Sequence, residues 1–179
     1  MTKQLLIIFV ALSLYSCNRE DTDDSIEIYE EEPVSGQVVA LDIEIVKIRD
    51  KAVDTLTIGS NSFVLSAELY RDFMPSCPQN GKLMASYNWL VDIDSVKIPD
   101  NINMVKQYVI LRDSICWIAN YQGQSVQNCW LDYKMQAVSF SGPKWGPKIS
   151  VEVISQICDL QTYQNYYIKQ KDAYIYMTE

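Results

Sequence analysis

The chain has 179 residues, and 23 acidic against 15 basic residues give it a formal net charge of −8. It contains no histidine, which excludes mechanisms that need an imidazole base, a Ser-His or Cys-His nucleophile or a histidine metal ligand. From residue 37 onward, 15 acidic residues nearly balance 13 basic ones, so we expect no nucleic-acid partner.

Residues 1–16 have the layout of a secretory signal peptide. Lys3 supplies a positive start, and an apolar stretch (LLIIFVALSL) follows over residues 5–14. This stretch is too short for a membrane-spanning helix, which needs about 20 apolar residues. The pattern therefore predicts a segment that is removed on export.

The end of this segment, Leu14-Tyr15-Ser16-Cys17, resembles the lipobox of bacterial lipoproteins. In that motif a leucine and two mostly small residues precede an obligatory cysteine, and Tyr15 is larger than usual. The resemblance implies cleavage before Cys17 and a lipid anchor on Cys17, with the membrane as a partner. Two or more acyl chains suffice for stable anchoring. The alternative is an ordinary secretory signal followed by a chance cysteine.

Residues 17–36 form a strongly acidic segment. Between Asn18 and Gly36, eight acidic residues stand against Arg19 alone, which predicts a disordered, extended tether. An acidic stretch after the lipidated cysteine also resembles the surface-export signal of Bacteroidetes lipoproteins, and the whole chain resembles their small β-rich members. This resemblance implies the outer membrane and the cell surface, with the periplasmic face as the alternative. A simple solvated linker is the other interpretation.

Residues 37–179 are expected to form a single globular domain. Apolar and polar residues alternate, and we predict an all-β fold, an antiparallel β-sandwich or small barrel of about seven to eight strands. No long amphipathic helix is expected. The predicted strands are residues 38–48, 62–69, 83–98, 108–119, 129–140, 149–157 and 166–177.

Two segments of this domain resemble each other. Residues 41–50 (LDIEIVKIRD) and 91–100 (VDIDSVKIPD) are identical at six of ten positions. In both, the alternation slips near the middle, as a β-bulge would cause. We interpret them as two equivalent strands, with chance convergence as the alternative.

Four cysteines remain once Cys17 is set aside, and an exported protein would use them in two disulfides. Residues 121–124 (YQGQ) suggest a hairpin turn. With a two-residue loop, Cys116 would face Cys129 at disulfide distance, which leaves Cys77 to join Cys158. A longer loop would allow the other connectivities.

Catalytic candidates are weak. Asp92 with Asp94, and Asp42 with Glu44, would lie roughly 7 Å apart on strands, a spacing that an inverting glycosidase tolerates, but a solvated sheet surface explains them better. Residues 141–144 have the SxxK spacing of Ser-Lys enzymes, yet their Gly-Pro predicts a turn instead of a helix start. We therefore expect neither enzyme activity nor a cofactor.

Aromatic residues suggest a binding site. The alternation places Trp89 in the core and Trp130 on a polar face, while Trp145 lies in a Gly-Pro loop. Trp130 and Trp145, with Tyr121 nearby, would suit stacking against a sugar ring. The alternative for Trp130 is packing beneath a loop or a second sheet.

Four triplets of Asp, Ser or Thr, and an aliphatic residue resemble the O-glycosylation acceptor of Bacteroidetes envelope proteins. The resemblance implies a surface glycoprotein. The acceptor hydroxyls would belong to Ser25, Thr55, Ser95 and Ser114.

The expected function is a membrane-anchored, non-catalytic binding module for a glycan or a protein ligand. The alternative is a structural, adhesin or envelope-assembly subunit, which would need an adhesive strand edge.

Overall fold

The computed structural model of the protein describes residues 34–127 and 131–179. The predictions for the signal peptide, Cys17, Ser25, Cys129 and Trp130 lie outside these residues. The elements are β1 (Gln37–Ala40), α1 (Ile43–Lys51), β2 (Thr55–Ile58), β3 (Asn61–Asp72), β4 (Met84–Asp92), β5 (Ile102–Leu111), β6 (Ile115–Asn120), β7 (Gly123–Gln127), β8 (Leu131–Gly142), β9 (Ser150–Asp159) and β10 (Gln164–Thr178).

The strands form one mixed sheet that curls into a half-barrel, which confirms the all-β fold class. Their order is β1-β6-β5-β9-β10-β3-β4-β8-β7, with β2 paired to β3 beside this path. Named strands pair in antiparallel fashion except at the end of β10, which runs parallel to β3 with Ile175 opposite Leu69. The described sheet has ten strands instead of the predicted seven to eight.

The main core fills the concave side of the sheet. In β3, alternate residues such as Phe63, Leu65 and Leu69 are buried, while the residues between them are half-buried or exposed. Leu90 on β4, together with Trp117 on β6, is fully buried in the same cluster. The period of two in these strands therefore fixes which side chains face inward.

The side chains of β4 face the opposite way from the prediction: the set that includes the polar residues Ser86 and Asn88 faces inward. Ser86 and Asn88 are fully buried and lie 2.9 Å from Gln107 Oε1 on β5, to which both donate hydrogen bonds. Buried polar groups are tolerated when they have such partners. The prediction that Trp89 is a core residue is consequently wrong, since Trp89 is half-buried on the outer face.

Helix α1 covers the outer face of the other half of the sheet. It begins after Asp42, whose carboxylate accepts hydrogen bonds from the backbone N–H groups of Glu44 and Ile45 at 3.0 and 2.9 Å. Such an N-cap contributes about 1 kcal/mol. Ile45 and Ala52 pack against a second apolar cluster formed by Tyr108, Ile110, Cys116 and Ile154 of β5, β6 and β9.

The two similar segments do not form equivalent strands. Residues 41–50 lie mostly in α1, whereas residues 91–100 comprise the end of β4 and the turn that follows it. Asp42 caps a helix, but its counterpart Asp92 is buried and accepts hydrogen bonds from the backbone N–H groups of Asp94 and Val96. The same residues therefore serve two different local structures.

The predicted hairpin is wrong, and the described cysteines form no disulfide. Strand β6 lies between β1 and β5, so Cys116 is opposite Val39 on one side and Ile110 on the other. Cys77, Cys116 and Cys158 are free. Cys77 follows the end of β3, which pairs with the end of β10, whereas Cys158 is opposite Asn165 near the start of β10. The length of β10 therefore separates Cys77 from Cys158.

Ser35 attaches the chain to the sheet before β1, inside the segment predicted to be tether. Its backbone N–H donates to Ser141 O on β8 at 2.6 Å, and its carbonyl accepts from Trp117 Nε1 at 2.7 Å. Gly36 follows with a φ of 79°, and a Cβ there would lie 2.2 Å from Ile118 O. Only glycine fits this close approach. The described residues contain no helix long and apolar enough to cross a membrane.

Candidate functional site

Aromatic side chains from neighbouring strands line up on the open outer face of β10, β3, β4 and β8. We call Tyr176, Tyr70, Tyr87 and Phe140 the aromatic row. Successive ring centroids in the row lie 5.4, 5.8 and 6.0 Å apart. Tyr176 is 43% exposed and Phe140 is 40% exposed. The row is therefore a continuous aromatic surface that solvent can reach.

Two further aromatic residues extend the row. The Trp89 ring lies 6.4 Å from that of Tyr87, with 21° between the ring planes. The Tyr174 ring lies 4.9 Å from that of Tyr176, on the same strand. Because the Trp89 ring contacts that of Tyr87, the fluorescence of Trp89 should report on ligands that reach Tyr87.

Strand register brings these residues together although they are far apart in the sequence. Tyr176 is directly opposite Tyr70 in the parallel β10–β3 pair. Tyr70 is opposite Ala85, which places Tyr87 diagonally across from it on the same face. Diagonal neighbours on a sheet face are within reach of aromatic side chains.

A carboxylate lies beside the row. Glu68 is opposite Tyr87 in the β3–β4 pair, and it accepts a hydrogen bond from the Tyr70 hydroxyl. This hydrogen bond, together with partial burial, raises the pKa of Tyr70 to about 12. Tyr70 therefore stays a neutral phenol at physiological pH, with its polar end held in one orientation.

The end of the row opens into a groove of about 570 Å³ with a polar rim. Lys82 Nζ lies 3.5 Å from Asp72 Oδ2, and Thr178 Oγ1 lies 3.3 Å from Asp72 Oδ1. The backbone N–H of Met74 donates to the same carboxylate at 3.0 Å, which holds the pKa of Asp72 below its usual range. The groove is lined by Tyr70, Asp72, Lys82, Leu83, Met84, Ala85, Tyr87, Phe140, Ser141 and Thr178.

The buried side chain of Arg71 holds together the two loops beside the groove. It is 2% exposed and donates hydrogen bonds to the carbonyls of Lys82, Lys144 and Gly146 at 3.1 to 3.2 Å, and to that of Asn80. These carbonyls belong to the loops that follow β3 and β8. Because one side chain holds both loops, Arg71 positions the two sides of the groove relative to each other.

The predicted stacking residues do not belong to the row. Tyr121 and Trp145 are half-buried and pack against the main core. The Tyr121 hydroxyl is hydrogen-bonded to Ser155 Oγ, and burial raises the pKa of Tyr121. Neither ring is presented as an open stacking surface, and Trp130 lies outside the described residues.

One acid of each predicted pair, Asp42 and Asp92, accepts hydrogen bonds from backbone N–H groups that follow it. Asp42 and Glu44 belong to the N-terminus of α1. Asp92 is buried and also accepts from Asn61 Nδ2 at 2.8 Å, while Asp94 is exposed in the turn. The two members of the second pair thus do not share a face. Within the described residues, no cluster of three Cys, Asp or Glu side chains is placed to hold a metal ion.

Three of the predicted O-glycosylation acceptors can be located, and all three are exposed. Thr55 begins β2, Ser95 lies in the turn after β4, and Ser114 lies in the turn between β5 and β6. Their exposure makes them accessible to a modifying enzyme. The prediction of the modification itself stays a prediction.

The residues of the row were missed by the sequence analysis, although one signal was present. Tyr87 and Trp89 share one face of β4, and Tyr174 and Tyr176 share one face of β10. Aromatic residues at alternate positions in two strands indicate a shared aromatic face if the strands are neighbours.

Comparison with protein-family models, with curated proteins and with solved structures finds no match to this chain.

Proposed function

We propose that this protein is a non-catalytic binding module that captures a glycan on the aromatic row. The observation that supports this proposal is a row of four rings on the outer face of four neighbouring strands, spaced 5.4 to 6.0 Å apart, with the two end rings exposed and the two middle rings half-buried. Aromatic faces bury the apolar faces of sugar rings, while a polar rim binds their hydroxyl groups. Here Glu68, Asp72 and Thr178 supply that rim.

The proposal includes the location implied by the N-terminal sequence. A lipid on Cys17 would hold the domain at the outer membrane, and the acidic segment would set it away from the lipid surface. Protease shaving of intact cells, with a periplasmic protein as control, tests this. Loss of the domain while the control survives supports a cell-surface position, and full protection contradicts it.

Tryptophan fluorescence during titration with a panel of soluble glycans tests the binding function. Phe140→Ala and Tyr176→Ala should each weaken binding about tenfold, as truncation of an exposed aromatic anchor does. Tyr163→Ala is the matched control, because Tyr163 is 80% exposed in the turn before β10. The proposal fails if no glycan binds, or if both row variants bind as the unmodified protein does.

A second candidate function, an envelope-assembly subunit, is favoured by the exposed face of α1. Ile43 is 70% exposed and Val46 is 37% exposed, and they lie about one helical turn apart. A complex of the full chain, extracted in detergent, that survives Phe140→Ala but is lost in Ile43→Glu would favour this candidate. If the unmodified protein and both variants are all found without a bound partner, the envelope-assembly candidate is ruled out.

A further inference from the structure

We infer that the aromatic row selects a single, uncharged glycan chain that runs across the strands, in preference to a polyanionic glycan or a crystalline glycan surface. This inference rests on the proposed glycan-binding function and names the ligand class of the same site. Two independent observations carry it: the charges around the row and the orientation of its rings.

The charged side chains beside Tyr70, which are Glu68, Asp72 and Lys82, sum to a negative charge. Among the described residues that line the groove, Asp72 and Lys82 are the charged ones, and they pair with each other at 3.5 Å. Glu68 adds a carboxylate beside Tyr70, and within the part of the chain that the structure describes it forms no salt bridge and accepts a hydrogen bond from the Tyr70 hydroxyl. An anionic ligand laid along the row would therefore meet an unbalanced negative charge, which disfavours binding.

The cation nearest in sequence cannot compensate for this charge. Arg71 alternates with Tyr70 and Asp72, so its side chain points to the opposite side of the sheet. It is 2% exposed, and backbone carbonyls surround its guanidinium group. A ligand on the outer face thus reaches the carboxylates but not this guanidinium group.

The ring planes exclude a flat ligand. Tyr70 and Tyr87 cross at 76°, and Tyr87 and Phe140 cross at 83°. A crystalline surface would require rings that share one plane, whereas these rings form a corrugated surface. A single chain can turn from one sugar unit to the next and so follow the corrugation.

The direction of the chain follows from the strands. Each ring of the row comes from a different neighbouring strand, and neighbouring strands lie about 4.8 Å apart. The row therefore runs across the strands, and a ligand that contacts all four rings must be extended in that direction. Contacts repeated along a chain also predict that affinity rises with chain length until the row is filled.

Native affinity electrophoresis of the full chain tests the inference with matched polysaccharides. Each neutral soluble polysaccharide that retards the protein is compared with its own carboxymethylated derivative and with an insoluble crystalline form where one exists. We expect the neutral form to bind about tenfold more tightly than the carboxymethylated form at low salt, with a smaller difference at high salt.

Glu68→Gln should reduce the difference in affinity between the neutral and the carboxymethylated form several-fold. The substitution removes the carboxylate charge and retains an acceptor oxygen for Tyr70. Glu44→Gln is the matched control: it changes the net charge equally, but Glu44 lies on α1 and pairs with Lys47. The control should leave the difference unchanged.

The outcomes are distinguishable. If the carboxymethylated or the crystalline form binds as tightly as the neutral soluble chain, the inference is overturned and the glycan-binding function stands. If none of the forms binds, the proposed function itself fails. If Glu44→Gln narrows the difference as much as Glu68→Gln, the selection does not come from the row and the inference is likewise overturned.

Discussion

Tyr70 and Tyr176 stack with their ring centroids 5.4 Å apart and their planes 27° apart. They face each other across β3 and β10, the parallel pair of the sheet. The contact therefore belongs to the aromatic row and also joins the paired ends of β3 and β10.

A double-mutant cycle should measure this contact. Tyr70→Leu, Tyr176→Leu and the double variant should show a coupling energy of about 1 kcal/mol in the free energy of unfolding, measured by urea denaturation. The cycle that pairs Tyr70→Leu with Tyr163→Leu is the control and should show a coupling near zero. Equal coupling in both cycles would mean that the stack contributes nothing specific.

Arg71→Met should destabilise the protein by about 3 kcal/mol, because it leaves several carbonyls near the guanidinium site without donors. The loops on both sides of the groove should then become more sensitive to proteolysis. Arg112→Met, at an exposed position, is the control and should change the free energy of unfolding by less than about 0.5 kcal/mol. A stable Arg71→Met variant with protected loops would refute the supporting role.

Gly142→Ala should destabilise the protein by about 2 kcal/mol, because the added methyl would lie 2.6 Å from the ring of Trp117, which is fully buried. Gly123→Ala is the control, since its methyl would meet Val138 Cγ2 at an ordinary 3.8 Å. Chemical denaturation gives the free energies, and near-ultraviolet circular dichroism reports on Trp117. Similar stability of the two variants would contradict the packing described for Gly142.

Spectrophotometric titration should show that Tyr70 ionises late. The hydrogen bond to Glu68 raises the pKa of Tyr70 to about 12, above the ordinary value of about 10. The stability that this hydrogen bond contributes is therefore fully present below about pH 10 and is lost as the pH rises through about 12. The difference between the unmodified protein and Tyr70→Phe isolates this step, and Glu68→Gln should move the step towards about pH 10. A Tyr70 step already near pH 10 in the unmodified protein would exclude the hydrogen bond.

The three described cysteines should differ in reactivity. Burial raises the pKa of the Cys116 thiol to about 12, so alkylation at about pH 8 should modify it only after unfolding. Cys77 and Cys158 are half-buried and free, and they should react in the folded protein without a reductant. Peptide mapping by mass spectrometry identifies the modified positions. A peptide pair joined through Cys77 and Cys158 would contradict the structure.

Alternation of apolar residues predicted the strand content well, because burial of one face dominates strands such as β3 and the end of β10. It failed for β4, where buried Ser86 and Asn88 are hydrogen-bonded to each other and to Gln107, although Asn88 Oδ1 and Gln107 Nε2 have no partner among the described residues. The period of two in a sequence shows that a strand has two different faces. It does not show whether the polar or the aromatic face is the inner one. The partners that make the polar face tolerable lie on another strand.

Helix α1 was also missed, although its signals were present. Asp42 is a good N-cap, Glu44 lies in the first turn, and Arg49 and Lys51 lie in the last turn. The nine-residue length gave too short a window for the helical period to stand out from alternation. The strand predicted at residues 108–119 is divided between β5 and β6, and the turn at Arg112 and Asp113, with φ of 51° and 53°, contains no glycine that would indicate it.

The aromatic row could not be derived from the sequence, because among its four strands only β3 and β4 are consecutive in the chain. Tyr176 and Tyr70 become neighbours only through the pairing of β10 with β3. Only a known register makes them one surface.

The attachment at Ser35 determines where a mechanical load would enter the domain. A pull on the chain that precedes Ser35 first strains its hydrogen bonds to Ser141 and Trp117. If these break, the force next peels β1, an edge strand of four residues, from β6. Ser141 also lines the groove, so tension on the N-terminal segment and occupancy of the groove act on the same end of β8.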